Sequence, residues 1–244
     1  MQNLGATRST SKPTHLLQTP DTFVRTRLPG MRDAMAIVHA SPANGARFAQ
    51  YTAEMATTGS LDPVPAQRFI YVLDGAVTVT LSATQYALEQ GGFAYLPQGL
   101  DHHVVASVDS RIEVFEKPYL ALDGLEPPAA IFGRESDLPS QPLMGDTALQ
   151  VRSLLPDTMA FDFAVNIMEY QPGAVLPMVE MHVMEHGLLM LQGGGIYRLD
   201  ESWYPVTAGD FIWMAPYCPQ WFGALGKVPA KYLIYKDWNR NPLA

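Results

Sequence analysis

The segment from Glu180 to His186 has the residue types and the spacing of a metal site. In an extended strand successive side chains alternate between two faces, so Glu180, His182 and, if the strand continues, His186 point the same way and Glu185 the other way. One carboxylate and two imidazoles form a mixed oxygen and nitrogen set, which suits a divalent ion of the manganese or iron type. A lone histidine in an apolar run is usually a packed or surface residue, but three ligand-type residues of matching parity favour a metal site.

The chain around this segment repeats an earlier part of itself. Residues 75–102 and 193–220 superimpose with a constant offset of 118 residues, which places His102 on Gln220. Each copy contains a glycine turn, a strand, a second glycine turn, a further strand and a proline-containing loop that ends on a polar residue. This pattern indicates an internal duplication.

The composition predicts an all-β protein. The 244 residues leave room for two units of about 120 residues, each able to bury its own core. Twenty prolines, nineteen glycines and many short apolar runs favour short strands joined by turns, and no long segment keeps a helical period. Regularly spaced strands of this kind predict a sandwich or barrel, and a jelly roll protects its edges best.

Charge and cysteine content exclude some partners and compartments. A net charge of -8 argues against binding to nucleic acid or to an anionic membrane through a basic surface, while a small anionic substrate stays possible. Cys218 is the only cysteine, so no disulfide framework is expected and a reducing compartment is indicated. The sequence has neither a long apolar run nor a signal-peptide core, and the expected location is the cytoplasm.

The second half of the chain resembles a cupin. The first cupin motif, in which a glycine precedes His-x-His, a Glu and a second glycine, is matched by Gly173, Glu180, His182, His186 and Gly193, with the first His and the Glu exchanged. The second motif runs from Gly209 to Gln220, with glutamine where the family has histidine. The exchange keeps two imidazoles and one carboxylate and adds an amide oxygen.

The first half keeps only part of this pattern. Asp62, Val64 and Arg68 stand at the positions of Glu180, His182 and His186, and Arg68 would repel a cation. We therefore expect an N-terminal cupin without a metal site, in which His102 is a structural or surface residue. The expected organisation is two tandem cupin barrels: an arm over residues 1–30, the N-terminal cupin over 31–125, a linker over 126–145 and the metal-binding cupin over 146–244.

The altered motif narrows the resemblance to the (S)-ureidoglycine aminohydrolase family. Further similar stretches are Thr19-Pro20-Asp21, Leu28-Pro29-Gly30, Glu185-His186-Gly187 and Lys236-Asp237, and the resemblance extends from about residue 17 to 242. It implies an Mn²⁺-dependent hydrolase, active as a homo-oligomer, that releases ammonia from ureidoglycine to give ureidoglycolate in purine and allantoin breakdown.

The resemblance also implies roles for individual residues. The metal ligands are Glu180, His182, His186 and Gln220, and they leave two positions of a six-coordinate ion for the substrate. Tyr197, Tyr232, Lys236 and Gln220 are the substrate-binding residues. Lys236 suits the substrate carboxylate. Glu180, Tyr232 and Lys236 form the catalytic set. We hypothesise that Glu180 moves a proton between the attacking water and the leaving amine, and both direct displacement by water and a route through an imine are open.

Two other functions remain open at this stage. Two histidines and a carboxylate also describe non-haem iron oxygenases, and many cupins are dioxygenases. A fourth protein ligand, Gln220, reduces the room for oxygen and substrate together. The other alternative is a non-catalytic bicupin that binds a small ligand, which a lack of metal uptake would favour.

Overall fold

The computed structural model describes residues 5–241 and shows an all-β protein, as predicted. These residues form twenty-one strands and three 3-10 helices, and no α-helix is present among them. The strands are β1 (Thr10–Lys12), β2 (His15–Gln18), β3 (Arg25–Thr26), β4 (Met31–Ala40), β5 (Ala49–Leu61), β6 (Gln67–Asp74), β7 (Ala76–Leu81), β8 (Thr84–Glu89), β9 (Gly92–Leu96), β10 (His103–Ala106), β11 (Ser110–Lys117), β12 (Ile131–Arg134), β13 (Gln141–Leu143), β14 (Asp146–Ser153), β15 (Phe163–Tyr170), β16 (His186–Gln192), β17 (Gly194–Leu199), β18 (Ser202–Thr207), β19 (Phe211–Met214), β20 (Gln220–Ala224) and β21 (Ala230–Asp237). The 3-10 helices span Pro20–Thr22, Pro42–Asn44 and Glu135–Asp137.

The N-terminal barrel is one curled sheet with the strand order β12-β9-β6-β11-β5-β10-β7-β8, and β4 pairs with β5. The long strand β5 pairs with β4, β10 and β11, which lets the sheet bend round on itself. Alternate side chains of β6 and β11 fill the interior, where Ile70, Val72, Ile112 and Val114 are fully buried.

The C-terminal barrel consists of an eight-stranded sheet and a three-stranded sheet. Their strand orders are β1-β2-β19-β16-β21-β15-β14-β13 and β18-β17-β20. The interior holds Leu188, Met190 and Ile212 together with the rings of Tyr197 and Tyr232. The two barrels of this cupin architecture confirm the predicted fold class, whereas the predicted residue boundaries of the domains stay predictions.

A third core lies between the two barrels and is rich in aromatic side chains. Tyr235 of β21 stacks on Phe48 with ring centroids 3.9 Å apart. Gly187 of β16 packs so closely against Phe48 that a β-carbon at this position would collide with the Phe48 ring and with Oε1 of Gln50. Strands buried on both faces carry continuous apolar runs, and β6 and β21 have this character.

A chain of buried polar groups lines the N-terminal side of this interface. Nδ1 of His39 donates a hydrogen bond to Gln18 at 2.8 Å. Nε2 therefore accepts a hydrogen bond from the Thr52 hydroxyl, also at 2.8 Å. Glu113 lies 2.7 Å from both Thr52 Oγ1 and Gln50 Nε2. The single proton of Thr52 cannot serve His39 and Glu113 together, so the chain is complete when Glu113 is protonated. Burial accordingly raises the pKa of Glu113 to about 7 and lowers that of His39 to about 3.

The two barrels exchange strands. β2, which precedes the N-terminal barrel in the chain, pairs with β19 of the C-terminal barrel, whereas β12, which follows the N-terminal barrel, pairs with β9 of that barrel. The predicted arm and linker therefore both supply strands, and residues 1–4 of the arm lie outside the described residues. Arg8 fixes the start of this segment through two hydrogen bonds, of 2.6 and 2.8 Å, to the buried carboxylate of Asp210.

Within residues 5–241, no helix combines the length and the apolar character needed to cross a membrane.

Candidate functional site

The segment from Glu180 to His186 is not the continuous strand that its sequence predicts. Glu180 pairs with Gln220 in an isolated antiparallel bridge, in which each backbone N–H donates to the other carbonyl at 2.9 Å. The strand β16 begins only at His186. The intervening residues leave the ladder because Glu185 is anchored on the opposite side. Its buried carboxylate accepts hydrogen bonds from the Arg47 backbone N–H and from Trp213.

Three of the four predicted metal ligands converge inside the C-terminal barrel. Nε2 of His182 lies 3.3 Å from Nε2 of His186 and 2.9 Å from the side-chain amide nitrogen of Gln220. His186 and Gln220 are buried, at the starts of β16 and β20. A half-turn of the Gln220 amide directs its oxygen to the same place. The structure therefore groups two imidazole nitrogens and one amide at a single point.

His186 presents an unprotonated nitrogen to this point. Its Nδ1 donates to the Tyr235 carbonyl at 3.1 Å, which fixes the tautomer and leaves the lone pair on Nε2. Burial, followed by the neighbouring His182, lowers the pKa of His186 to about 3, so the ring is neutral at physiological pH. A neutral imidazole held by a backbone carbonyl is a common form of a metal-ligating histidine.

The carboxylate of Glu180 is not grouped with the two imidazoles. Across the part of the chain that the structure describes, no three His, Cys, Asp or Glu side chains lie close enough together to hold a metal ion. In the same part, Nδ1 of His182 is buried without a hydrogen-bond partner, and the contacts of this ring to His186 and Gln220 are made by Nε2. The donor types fit a divalent ion of the manganese or iron class, with Glu180 as the neighbouring carboxylate.

The expected substrate-binding residues line the same interior. The register of β16 and β21 places His186 opposite Lys236 and Met190 opposite Tyr232, so these side chains share one face of the sheet, as strand parity predicts for Tyr232 and Lys236. Tyr197 of β17 is fully buried near Tyr232. Burial raises the pKa of both phenols, and the nearby Glu180 carboxylate acts in the same direction.

Tyr170 joins this group, although the sequence gives no motif that singles it out. Its hydroxyl lies 2.8 Å from that of Tyr232, and both side chains are buried. The ring packs edge-on against Phe222, with the centroids 4.9 Å apart. Burial raises the pKa of Tyr170, and Glu180 contributes in the same direction. Three phenols, one carboxylate and one lysine therefore surround the interior next to the imidazoles.

Lys236 is the cation of this pocket. Its Nζ lies 3.8 Å from the centroid of the Trp238 ring, a cation–π contact. Partial burial lowers the pKa of Lys236, while the charges of Asp157 and Glu180 oppose that change. A lysine whose charge is supported mainly by a ring face and by distant carboxylates is free to bind a substrate carboxylate.

The matching place in the N-terminal barrel is filled by Arg68. Its guanidinium, 2% exposed, forms an ion pair with Glu116 at 2.8 Å and donates to the Asp62 carbonyl at 2.9 Å. His102, at the position of Gln220, is also buried and lies 3.0 Å from Arg68, with its other ring nitrogen 2.8 Å from the Leu100 carbonyl. A fixed cation thus stands at the position that corresponds to His186.

A cleft of about 990 Å³ lies elsewhere, between the two barrels. Its most buried charge, Glu135, is already satisfied by Lys231 at 2.6 Å, by Tyr71 at 2.6 Å and by Arg152 at 3.5 Å. The cleft contains none of the imidazoles described above. The imidazole and amide groups converge instead inside the C-terminal barrel.

Comparison with known proteins agrees with this assignment of the fold. A family model described as a cupin domain matches residues 60–116 and 166–235. The (S)-ureidoglycine aminohydrolase of Arabidopsis thaliana is 42% identical over 242 residues, which cover 98% of this chain and 80% of that protein. The probable (S)-ureidoglycine aminohydrolase of Oryza sativa subsp. japonica is 40% identical, with coverages of 98% and 78%.

A solved structure extends the similarity to three dimensions. The putative glyoxylate-induced protein of Pseudomonas aeruginosa superimposes with a TM-score of 0.89 at 32% identity, covering 99% of this chain and 94% of that chain. Agreement over both barrels, in sequence and in structure, fixes the relationship. The chain therefore belongs to the cupin superfamily and, within it, to the (S)-ureidoglycine aminohydrolase family.

Proposed function

We propose that this protein is a manganese-dependent (S)-ureidoglycine aminohydrolase. Water and ureidoglycine react to give ureidoglycolate and ammonia: a C–O bond forms, the C–N bond to the amine breaks, and the amine leaves with a proton from the water. The observation that carries the proposal is the convergence of His182, His186 and Gln220 beside Lys236, in a chain whose relatives carry this name.

The pocket residues match the functional groups of this substrate. Ureidoglycine bears a carboxylate, an amine and a ureido group on one carbon. Lys236 binds the carboxylate, because it carries the positive charge on the face that holds His186. Tyr197 and Tyr232 donate hydrogen bonds to the carboxylate or to the ureido oxygen, and Gln220 contacts the substrate through its amide. Their burial excludes water from these contacts and strengthens them.

Glu180, His182, His186 and Gln220 are the residues that would hold Mn²⁺. They supply two nitrogen and two oxygen donors, a mixture suited to this ion, and leave two of six positions for the substrate. When bound, the ion supplies Lewis acidity, which polarises the substrate and lowers the pKa of a coordinated water. For the N-terminal barrel we propose that no metal binds, since the Arg68 guanidinium occupies the corresponding place.

Glu180 is proposed to move the proton in this reaction. Its charge acts on all three phenols of the pocket and on Lys236. It accepts a proton from the attacking water and delivers it to the departing amine. The Glu180→Gln protein, loaded with manganese, is expected to release ammonia far more slowly than the parent. Activity near that of the parent would remove Glu180 from this role and leave the metal site standing.

The overall proposal is tested by mixing the manganese-loaded protein with freshly generated ureidoglycine and measuring ammonia. The duplicated fold offers a matched pair of variants, since His186→Gln removes a buried imidazole from one barrel and His102→Gln removes one from the other. We expect the first to lose both bound manganese and ammonia release, and the second to keep both. Equal loss in the two variants would contradict the assignment to the C-terminal barrel.

The same assay separates the two other functions. Undiminished turnover without oxygen excludes a dioxygenase. A protein that neither contains a transition metal nor takes up manganese would instead be a non-catalytic ligand-binding bicupin. A role in purine and allantoin breakdown, a cytoplasmic location and a homo-oligomeric assembly belong to this proposal as expectations from the resemblance.

A further inference from the structure

The hydroxyl of Tyr170 on β15 contacts one of the expected substrate-binding residues, Tyr232. Its ring is fully buried, and within the described residues its hydroxyl has one hydrogen-bond partner, Oη of Tyr232 at 2.8 Å. A buried hydroxyl that donates to nothing loses the hydrogen bond that it would make to water, which destabilises the fold. Either hydroxyl can donate in this contact, and when Tyr232 gives its proton to a substrate in the pocket, the Tyr170 proton is the one that completes the pair.

This contact couples the Tyr170 proton to that of Tyr232. A phenol has one proton, so a Tyr232 hydroxyl that donates to the substrate accepts from Tyr170 through its oxygen. In addition to burial, Tyr197 and the charge of Glu180 are both near enough to raise the pKa of Tyr232. Hydrogen bonds in series polarise one another, which makes Tyr232 a stronger donor than an isolated phenol.

We propose that Tyr170 is a positioning residue, whose hydroxyl donates to Tyr232 and so commits the Tyr232 proton to the carboxylate or ureido oxygen of the bound substrate. The inference rests on the proposed function, because it assigns Tyr232 to the substrate. Tyr170 itself touches neither the substrate nor the imidazoles. Its ring contacts with Phe222 and Tyr232 form the hydrophobic support, and its hydroxyl carries the positioning role.

The test uses Tyr170→Phe, which keeps the ring and removes only the hydroxyl. N-carbamoylglycine serves as an unreactive probe, since it retains the carboxylate and the ureido group but lacks the amine. In the manganese-loaded protein we expect kcat/KM for ureidoglycine to fall about tenfold and the Kd of the probe to rise about tenfold, as for the loss of one hydrogen bond. Manganese content and thermal midpoint should change little.

Two comparisons separate positioning from general packing. Tyr95→Phe is the matched control: Tyr95 is equally buried and donates to Gln67 at 2.8 Å in the N-terminal half, so its loss should leave kcat/KM and the probe Kd unchanged. In a Tyr232→Phe background, Tyr170→Phe should change either quantity less than about twofold, because the residue acts through Tyr232.

The possible outcomes are distinct. Parent values of kcat/KM and probe Kd in Tyr170→Phe overturn the inference, and so does a tenfold effect that persists in the Tyr232→Phe background. A parent protein that neither releases ammonia nor binds the probe refutes the proposed function, and the inference falls with it. An active parent with an unaffected Tyr170→Phe variant refutes the inference alone.

Discussion

Replacing Glu113 by glutamine should make the protein more stable at alkaline pH and should change its stability little at acid pH. The side chain is fully buried, and its hydrogen bonds are complete only when it carries a proton. The new glutamine would imitate that protonated form, because its oxygen accepts from Gln50 and its amide donates to Thr52. Thr52 is then free to donate to His39.

The magnitude follows from the raised pKa. The folded protein holds the Glu113 pKa at about 7 against 4.5 for an ordinary glutamate, which corresponds to about 3 kcal/mol. Because the folded pKa is the higher one, the parent keeps its full stability below about pH 4.5. It loses this contribution as the pH rises to about 7. The free energy of unfolding of Glu113→Gln should therefore exceed that of the parent by up to about 3 kcal/mol above pH 7.

The assay is urea unfolding of both proteins between pH 4.5 and 8.5. The control is Glu201→Gln, which removes the same charge from an exposed turn and should leave the difference from the parent near zero throughout. A stability difference between Glu113→Gln and the parent that does not change with pH would refute the conclusion that Glu113 must be protonated to complete the buried hydrogen bonds from Gln18 to Glu113.

Four further predictions concern the pocket, the N-terminal barrel and the core between the barrels. Lys236→Met should lower kcat/KM for ureidoglycine about 100-fold, measured by ammonia release, through loss of a charge-assisted hydrogen bond. In the parent, activity should decline as the pH rises through a Lys236 pKa below 10.5. Arg68→Met should cost about 3–5 kcal/mol in urea unfolding, because Glu116 loses its buried partner, and adding Glu116→Gln should recover part of that loss. Gly187→Ala should cost about 1–3 kcal/mol in the same assay, since the new methyl group meets Gln50; an unchanged midpoint would show that the strand can move aside.

The sequence alone predicts the parts of the structure that depend on period and repetition. The all-β class follows from the spacing of short apolar runs, and the common face of Tyr232 and Lys236 follows from strand parity. The correspondence of Arg68 with His186 follows from the constant offset between the copies. Arg68 of β6 pairs with Glu116 of β11, and His186 of β16 pairs with Lys236 of the equivalent strand, β21.

Features that depend on contacts between distant segments could not be predicted in this way. Strand parity places Glu180 with His186, but a break in the ladder separates them, because Glu185 is held by the Arg47 backbone of the N-terminal barrel and by Trp213 of β19. The role of Tyr170 depends on which strand lies next to β15 and in which register. No local pattern around Tyr170 contains that information.

The exchange of β2 and β12 has a consequence for how the two copies can be separated. Cutting the chain between Leu120 and Ala130 would give a first fragment that keeps β2 but lacks its partner β19, and a second fragment that keeps β12 but lacks β9. Each fragment would expose one unsatisfied strand and one bare sheet edge, the features that drive aggregation. Fused cupins with this crossing are mutually dependent, so each copy is part of the scaffold that completes the sheets of the other.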